Sequence, residues 1–185
     1  MEKSEMMQQF MQLAKMLASL QGQQYQGALI ARATWRQRYE DFLEPGVYIR
    51  HKGARHQRVE CLCLGADAVM QSLDVMLFLA QPQKLLKEKR HPVVPTGLPW
   101  RSFSVGEITA FVQASGDTNI IHTGEQPVVP GLLILSCLLA EHSGQAMEIR
   151  FYQPLLAGEQ VFLQKLPDRF CGYTKEQEVF VVRME

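Results

Sequence analysis

Asp117, Asn119 and His122 fall within six residues, in the polar loop from Ser115 to Gln126. A carboxylate and an imidazole spaced this closely can take a proton from water and return one to a carbon skeleton near neutral pH. Asp and Asn also make turns by bonding nearby backbone, and a loop histidine also serves as a cap. The loop alone therefore does not decide its own role. The residues after it add a second chemical element. Val128-Val129-Pro130-Gly131 leads directly into the apolar run Leu132–Leu139, which predicts a helix buried on all sides. The first N–H groups of such a helix lack partners and carry the positive end of its dipole. Gly131 lets a ligand approach that backbone closely. A carbonyl oxygen gaining negative charge would be stabilised there, as in an oxyanion hole. Acid–base groups beside such a helix start suit addition or elimination next to a thioester.

These residues need a scaffold, and the chain's periodicity predicts one. Met6, Phe10, Leu13, Leu17 and Leu20 recur at helical spacing over 3–20. From Gly27 the period becomes two, with Leu29, Ala31, Ala33 and Trp35 on one face and Arg32, Thr34, Arg36 and Arg38 on the other. Val59, Cys61 and Cys63, then Val69 to Leu79, continue the alternation, so the first 80 residues read as a helix and three or four antiparallel strands. Residues 81–99 are rich in Pro and Gly and read as a linker. Ser104 and Glu107 have the spacing of a capping box at the start of a short helix through about Gln113. Strands are expected at about 146–153, 159–166 and 176–184.

The two halves echo each other. Each places an apolar helix before antiparallel strands, and RYEDFLEPG at 38–46 matches RFYQPLLAG at 150–158 in its Arg–aromatic start, its Leu and its final Gly. Shared element order and this match point to a pseudo-duplicated protein.

Bulk properties narrow the function classes. The apolar share of 46% and charged share of 21% are those of a globular protein. Zero formal net charge supplies no global field for nucleic acid or an acidic membrane. No apolar run reaches a membrane span, and no signal-peptide core is present. Cys61, Cys63, Cys137 and Cys171 have neither CxxC nor metal spacing, so no metal site is expected and the cytoplasm is the expected compartment. His142 falls near the end of the second apolar helix, and Glu107 and Glu125 have roles in a cap and on the surface.

The loop and helix also carry a resemblance. ASGDTNIIH at 114–122 resembles the ASGD-x-N-P-[IL]-H motif of the MaoC-like hot-dog family, the (R)-specific enoyl-CoA hydratases. VVPGLLILS at 128–136 resembles that family's [IV]-V-H-G-M-L-x-x-S segment, and RFYQPLLAGEQV at 150–161 resembles its F-x-x-P-V-x-x-G-D strand pair. The resemblance covers roughly 100–165. It implies an α+β hot-dog fold, a central helix wrapped by a curved antiparallel sheet. With the echo between halves, it implies a double hot dog: a degenerate, non-catalytic half at 1–80 and a catalytic half at 100–185.

By the same resemblance, Asp117 and His122 hold and activate water for addition to an enoyl thioester, and Gly131 polarises its carbonyl. Asn119 organises the loop, and Ser136 matches a helix serine with a packing or substrate-adjacent role. The implied reaction is reversible hydration of an enoyl thioester to the 3-hydroxyacyl form, carried by CoA or an acyl carrier protein, without a cofactor. A homodimer of such chains is compatible with this organisation. A hot-dog thioesterase and a non-catalytic acyl-thioester binder are the competing readings. Three departures stand out. Ile120 replaces the usual Pro, Pro130 replaces the frequent His, and the connection from His122 to Gly131 is about half the family's usual length.

Overall fold

A computed structural model describes residues 3–20, 22–38, 44–65, 69–79, 97–142, 144–175 and 177–185. Helix α1 spans Lys3–Ala18 and is followed by a 3-10 turn at Gln23–Tyr25. Strands β1 (Leu29–Arg38), β2 (Gly46–Lys52), β3 (His56–Leu64) and β4 (Met70–Phe78) complete the first half. The second half runs β5 (Leu98–Arg101), α2 (Val105–Ser115), a 3-10 turn at Ile120–His122, and α3 (Gly131–Glu141). It ends with β6 (Ala146–Phe151), β7 (Val161–Lys165), β8 (Phe170–Tyr173) and β9 (Glu178–Met184).

The nine strands of the described residues form one antiparallel sheet in the order β2-β3-β4-β1-β6-β9-β8-β7-β5. The order is nearly a palindrome. The unit α1-β1-β2-β3-β4 has the same sequence of elements as α3-β6-β7-β8-β9, and the sheet arranges them as mirror images across the β1–β6 seam. The sequence echo falls on equivalent connections: Arg38 ends β1 and Gly46 begins β2, while 150–158 links the end of β6 to β7. The linker expectation over 81–99 lies mostly outside the described residues, and Leu98 and Pro99 form the start of β5. Pro is tolerated there because β5 is an edge strand, where a missing N–H breaks no ladder.

The two long helices meet the sheet differently. α1 buries one stripe, Gln9, Phe10, Leu13 and Ala14, against β3 and β4, and also packs on α2 and α3. α3 lies on the seam strands β1 and β6 and buries Leu132, Leu133, Ile134, Leu135, Ser136, Leu138 and Leu139. Each fully buried Leu or Ile is worth about 1.5–3 kcal/mol relative to exposure. A loop hydrogen bond nets on the order of 1 kcal/mol. The packing of α3 therefore fixes where its first turn sits, and the loop before it must conform.

Two details depart from the simple alternation. A β-bulge between Ile30 and Arg32 breaks the period of β1 and brings Ile30 to the α3 side, which strict alternation assigns to the opposite face. Strand β8 carries no alternation signal, and its Gly172 lies against the Phe180 ring where any side chain would collide. The cysteines are all free, and Cys61, Cys63 and Cys171 are buried. Burial pushes the Cys61 thiol up to about 12 and the Cys63 thiol up to about 11, so both behave as small apolar residues. Among the described residues, no helix is long and apolar enough to cross a membrane.

Candidate functional site

The polar loop is delivered by a helix with two defined ends. Ser104 caps α2 by accepting from the Glu107 N–H, and Glu107 accepts from the Ser104 N–H at 2.9 Å. The Ser104 N–H and hydroxyl, both donating to the Glu107 carboxyl, together with Arg101 hold it below its usual range. At the other end Gly116 adopts the left-handed conformation (φ 72°), and both its N–H and that of Asp117 bond to the Val112 carbonyl. That reversal turns Asp117 out of the helix and into a cavity.

Asn119 joins the loop to the first half of the chain. Its side-chain oxygen accepts from the Gly27 N–H at 2.8 Å, and its NH2 donates to the Ala28 carbonyl at 2.8 Å. Asp117 Oδ1 accepts from the Asn119 N–H at 2.9 Å, and the Gln26 side chain accepts from the Ile120 N–H. Ile120, where the motif it resembles has proline, is 63% exposed and is therefore free of packing demands.

His122 is fixed by the short connection to α3. Its Nδ1 lies 2.7 Å from the Val128 carbonyl, which can only accept, so Nδ1 carries the proton. Nε2 then presents its lone pair 3.5 Å from Asp117 Oδ2. Burial lowers the imidazole's affinity for a second proton, against the opposite pull of the Val128 carbonyl and Asp117. A neutral imidazole and a carboxylate facing each other are two acceptors. One water can donate a hydrogen to each, leaving its own lone pairs for an electrophilic carbon.

The connection is itself pinned. The Val128 N–H bonds to the Ile121 carbonyl, the Val129 N–H to Leu155, and the Ala157 N–H to the Pro127 carbonyl. Three residues beyond Val128, α3 opens at Gly131 with no side-chain cap. A Cβ on Gly131 would come within 3.0 Å of the Phe151 ring and 3.5 Å of Ile30, so only glycine fits this crossing without displacement.

These parts border one cavity of about 630 Å³, a size typical of small-ligand sites. Asp117, Asn119, His122 and Gly131 all line it. Ser136 does not; it is buried within α3 and donates to the Leu133 carbonyl at 2.7 Å. The remaining wall is largely apolar and comes from both halves, including Leu17, Ala18, Ile30 and Leu77 from the first and Phe111 and Ile134 from the second. The helical period of α1 marked Leu17 as core without indicating that it borders a cavity. None of the described arginines lines the cavity; Arg58 is paired with Asp74 and Arg50 with Glu60. His142 caps the far end of α3 and stacks on Phe170 with ring centroids 4.7 Å apart. No cluster of potential metal ligands occurs among the described residues.

No family model matches the sequence, and no curated protein sequence matches it. Solved structures do match. HtdX from Mycobacterium tuberculosis aligns with a TM-score of 0.60 at 15% identity, over 97% of this chain and 86% of that one. Peroxisomal multifunctional enzyme type 2 from Drosophila melanogaster aligns at 0.58 and 16% identity, over 97% of this chain and 40% of that one. A MaoC-like dehydratase from Phytophthora capsici aligns at 0.53 and 13% identity, over 90% of this chain and 72% of that one. The fold is a hot dog. At these identities the likeness establishes architecture, and the chemistry rests on the residues.

Proposed function

We propose that the protein hydrates an enoyl thioester reversibly to the 3-hydroxyacyl thioester. One observation carries the reading: the Nδ1–H of His122 is committed to the Val128 carbonyl, which turns Nε2 toward Asp117 beside the uncapped start of α3. Asp117 is the general base and His122 its acid–base partner. Both hold the water. As the water oxygen bonds to C3, one of its protons passes to the Asp117–His122 pair. The pair then returns a proton to C2 on the same face. The Gly131 N–H and the positive end of α3 stabilise negative charge on the thioester oxygen while the C2–C3 π electrons shift toward it. The thioester is carried by CoA or an acyl carrier protein.

The organisation of the chain belongs to the same proposal. Residues 1–80 are a non-catalytic hot-dog half that walls the cavity, residues 100–185 are the catalytic half, and 81–99 link them. The palindromic strand order and the mixed cavity lining support this division.

Crotonyl-CoA tests the chemistry. Loss of enoyl absorbance without release of free thiol is the expected result. Thiol release would replace hydration with hydrolysis at the carbonyl. Binding with neither reaction would make the protein an acyl-thioester carrier or sensor.

A further inference from the structure

The cavity lining is not hydrocarbon alone. Tyr25 lines it, and the Tyr25 hydroxyl accepts a 2.8 Å hydrogen bond from the Gln57 side chain. Gln57 is fully buried on β3, and its Oε1 has no partner among the described residues. An unmatched amide oxygen at zero exposure has given up water and gained nothing in return. Such a group calls for an explanation beyond packing. Because the phenol oxygen accepts from Gln57, the phenol's own hydrogen remains available. Turning the Gln57 amide over exchanges these roles: the phenol then donates, its oxygen can accept, and the amide NH2 is the unmatched group. Either arrangement leaves the pair, a half-buried phenol and a fully buried amide, with more hydrogen-bonding capacity than the protein uses.

The pair also has a definite place along the cavity. Gly131 crosses Ile30 and Phe151 at the β1–β6 seam. Gln57 lies on β3, two strands from β1, which is roughly 10 Å at ordinary strand spacing. Leu77 on β4 is paired with Ile30 on one side and Gln57 on the other, so it stands between them, and Leu17 and Ala18 of α1 also line the cavity. A thioester held with its carbonyl at Gly131 would send its acyl chain past these apolar side chains toward Tyr25. No Arg or Lys lines the cavity among the described residues, so a carboxylate on that chain would be buried without a counter-charge. A hydroxyl both donates and accepts, and so matches the Tyr25–Gln57 pair in either orientation of the amide.

We infer that Tyr25, oriented by Gln57, recognises an uncharged hydroxyl on the distal part of the acyl chain. The preferred substrates are then oxygenated acyl thioesters and not plain fatty acyl thioesters. This inference rests on the acyl-thioester reading above. It is tested by binding, so that turnover is not required. The probes are two 2-oxoalkyl-CoA thioethers with acyl portions of about eight carbons, which resist hydrolysis; one ends in a methyl group and the other in a hydroxyl. Calorimetry on the full chain is expected to give roughly tenfold tighter binding of the hydroxylated probe, the scale of one well-made neutral hydrogen bond. Tyr25→Phe keeps the ring and should bring that ratio close to one. Gln57→Met fills the same buried volume without the amide and should do the same, with thermal unfolding checking that both variants fold. Equal binding of the two probes by the wild-type chain, or a preference surviving in both variants, overturns the inference alone. If the wild-type chain binds neither probe, the acyl-thioester reading falls and this inference falls with it.

Discussion

The two halves of the sheet share one strand order, yet their helices do different jobs. α3 opens at the seam with an uncapped, buried first turn, and the loop before it supplies a carboxylate and an imidazole. α1 lies on the other half as an amphipathic helix and offers the cavity Ala14, Leu17 and Ala18. Among the described residues, the first half contributes no acidic or imidazole side chain to the lining. On the proposed function the contrast between the helices is a division of labour: chemistry needs a helix start and a proton-moving pair, whereas the part α1 itself plays in binding needs only shape and apolar surface. The halves are joined at the site by Asn119, whose side chain bonds the backbone of Gly27 and Ala28.

The strongest test of that division is Asp117→Asn. It keeps the shape and removes the base, so kcat for crotonyl-CoA hydration should fall about a thousandfold, within the range for losing a general base. Retained activity would remove Asp117 from its assigned role. Asn119→Ala strikes the junction instead. It strips partners from the Gly27 N–H and the Ala28 carbonyl, and urea unfolding should show a loss of about 2 kcal/mol. An unchanged unfolding midpoint would mean that the loop is held by other contacts. Leu17→Trp changes only the wall of the first half. For an enoyl thioester of about ten carbons it should lower kcat/KM roughly tenfold, as overpacking of a binding wall does, with a smaller effect on crotonyl-CoA. Equal losses on both substrates would show that α1 serves the site through stability and not through chain binding.

The local pieces of the candidate site were legible from residue types, while their roles came from the resemblance. The Asp117-to-His122 spacing, the capping box at Ser104 and the apolar run after Gly131 each lie within a dozen residues, where helix and turn rules apply directly. The helix-then-strands order of the first half showed as a change of period from helical to alternating near Gly27, and the α+β hot-dog fold came from the motif resemblance. What stayed hidden depends on distant pairings. β8 escaped because Gly172 is chosen to fit under Phe180 on a neighbouring strand, which no local pattern records. β5 was hidden by Pro99, a residue that marks loops unless the strand is known to lie at an edge. The bulge that turns Ile30 toward α3 is set by strand pairing. Tyr25 and Gln57 are 32 positions apart, and only the fold brings phenol and amide together.

The smallest expected effect separates the two partners of the proton-moving pair. Burial is the largest influence on His122 and holds its proton affinity below the ordinary 6.5, while the Val128 carbonyl and Asp117 pull the other way. The unfolded chain therefore binds a proton on His122 at a pH where the folded chain does not. Stability from this group is fully present above pH 6.5 and is lost as the pH falls from there toward the folded value. His122→Asn should flatten the decline of Tm over that acid window without reversing it. In the wild-type chain, NMR titration of the imidazole should find a midpoint under 6.5. Asp117→Asn removes one of the two favourable influences, so the same midpoint should move further down. A midpoint at or above 6.5 would mean that the carboxylate outweighs burial. His122 would then be a cation paired with Asp117 at neutral pH, and Nε2 would have no lone pair to offer the water.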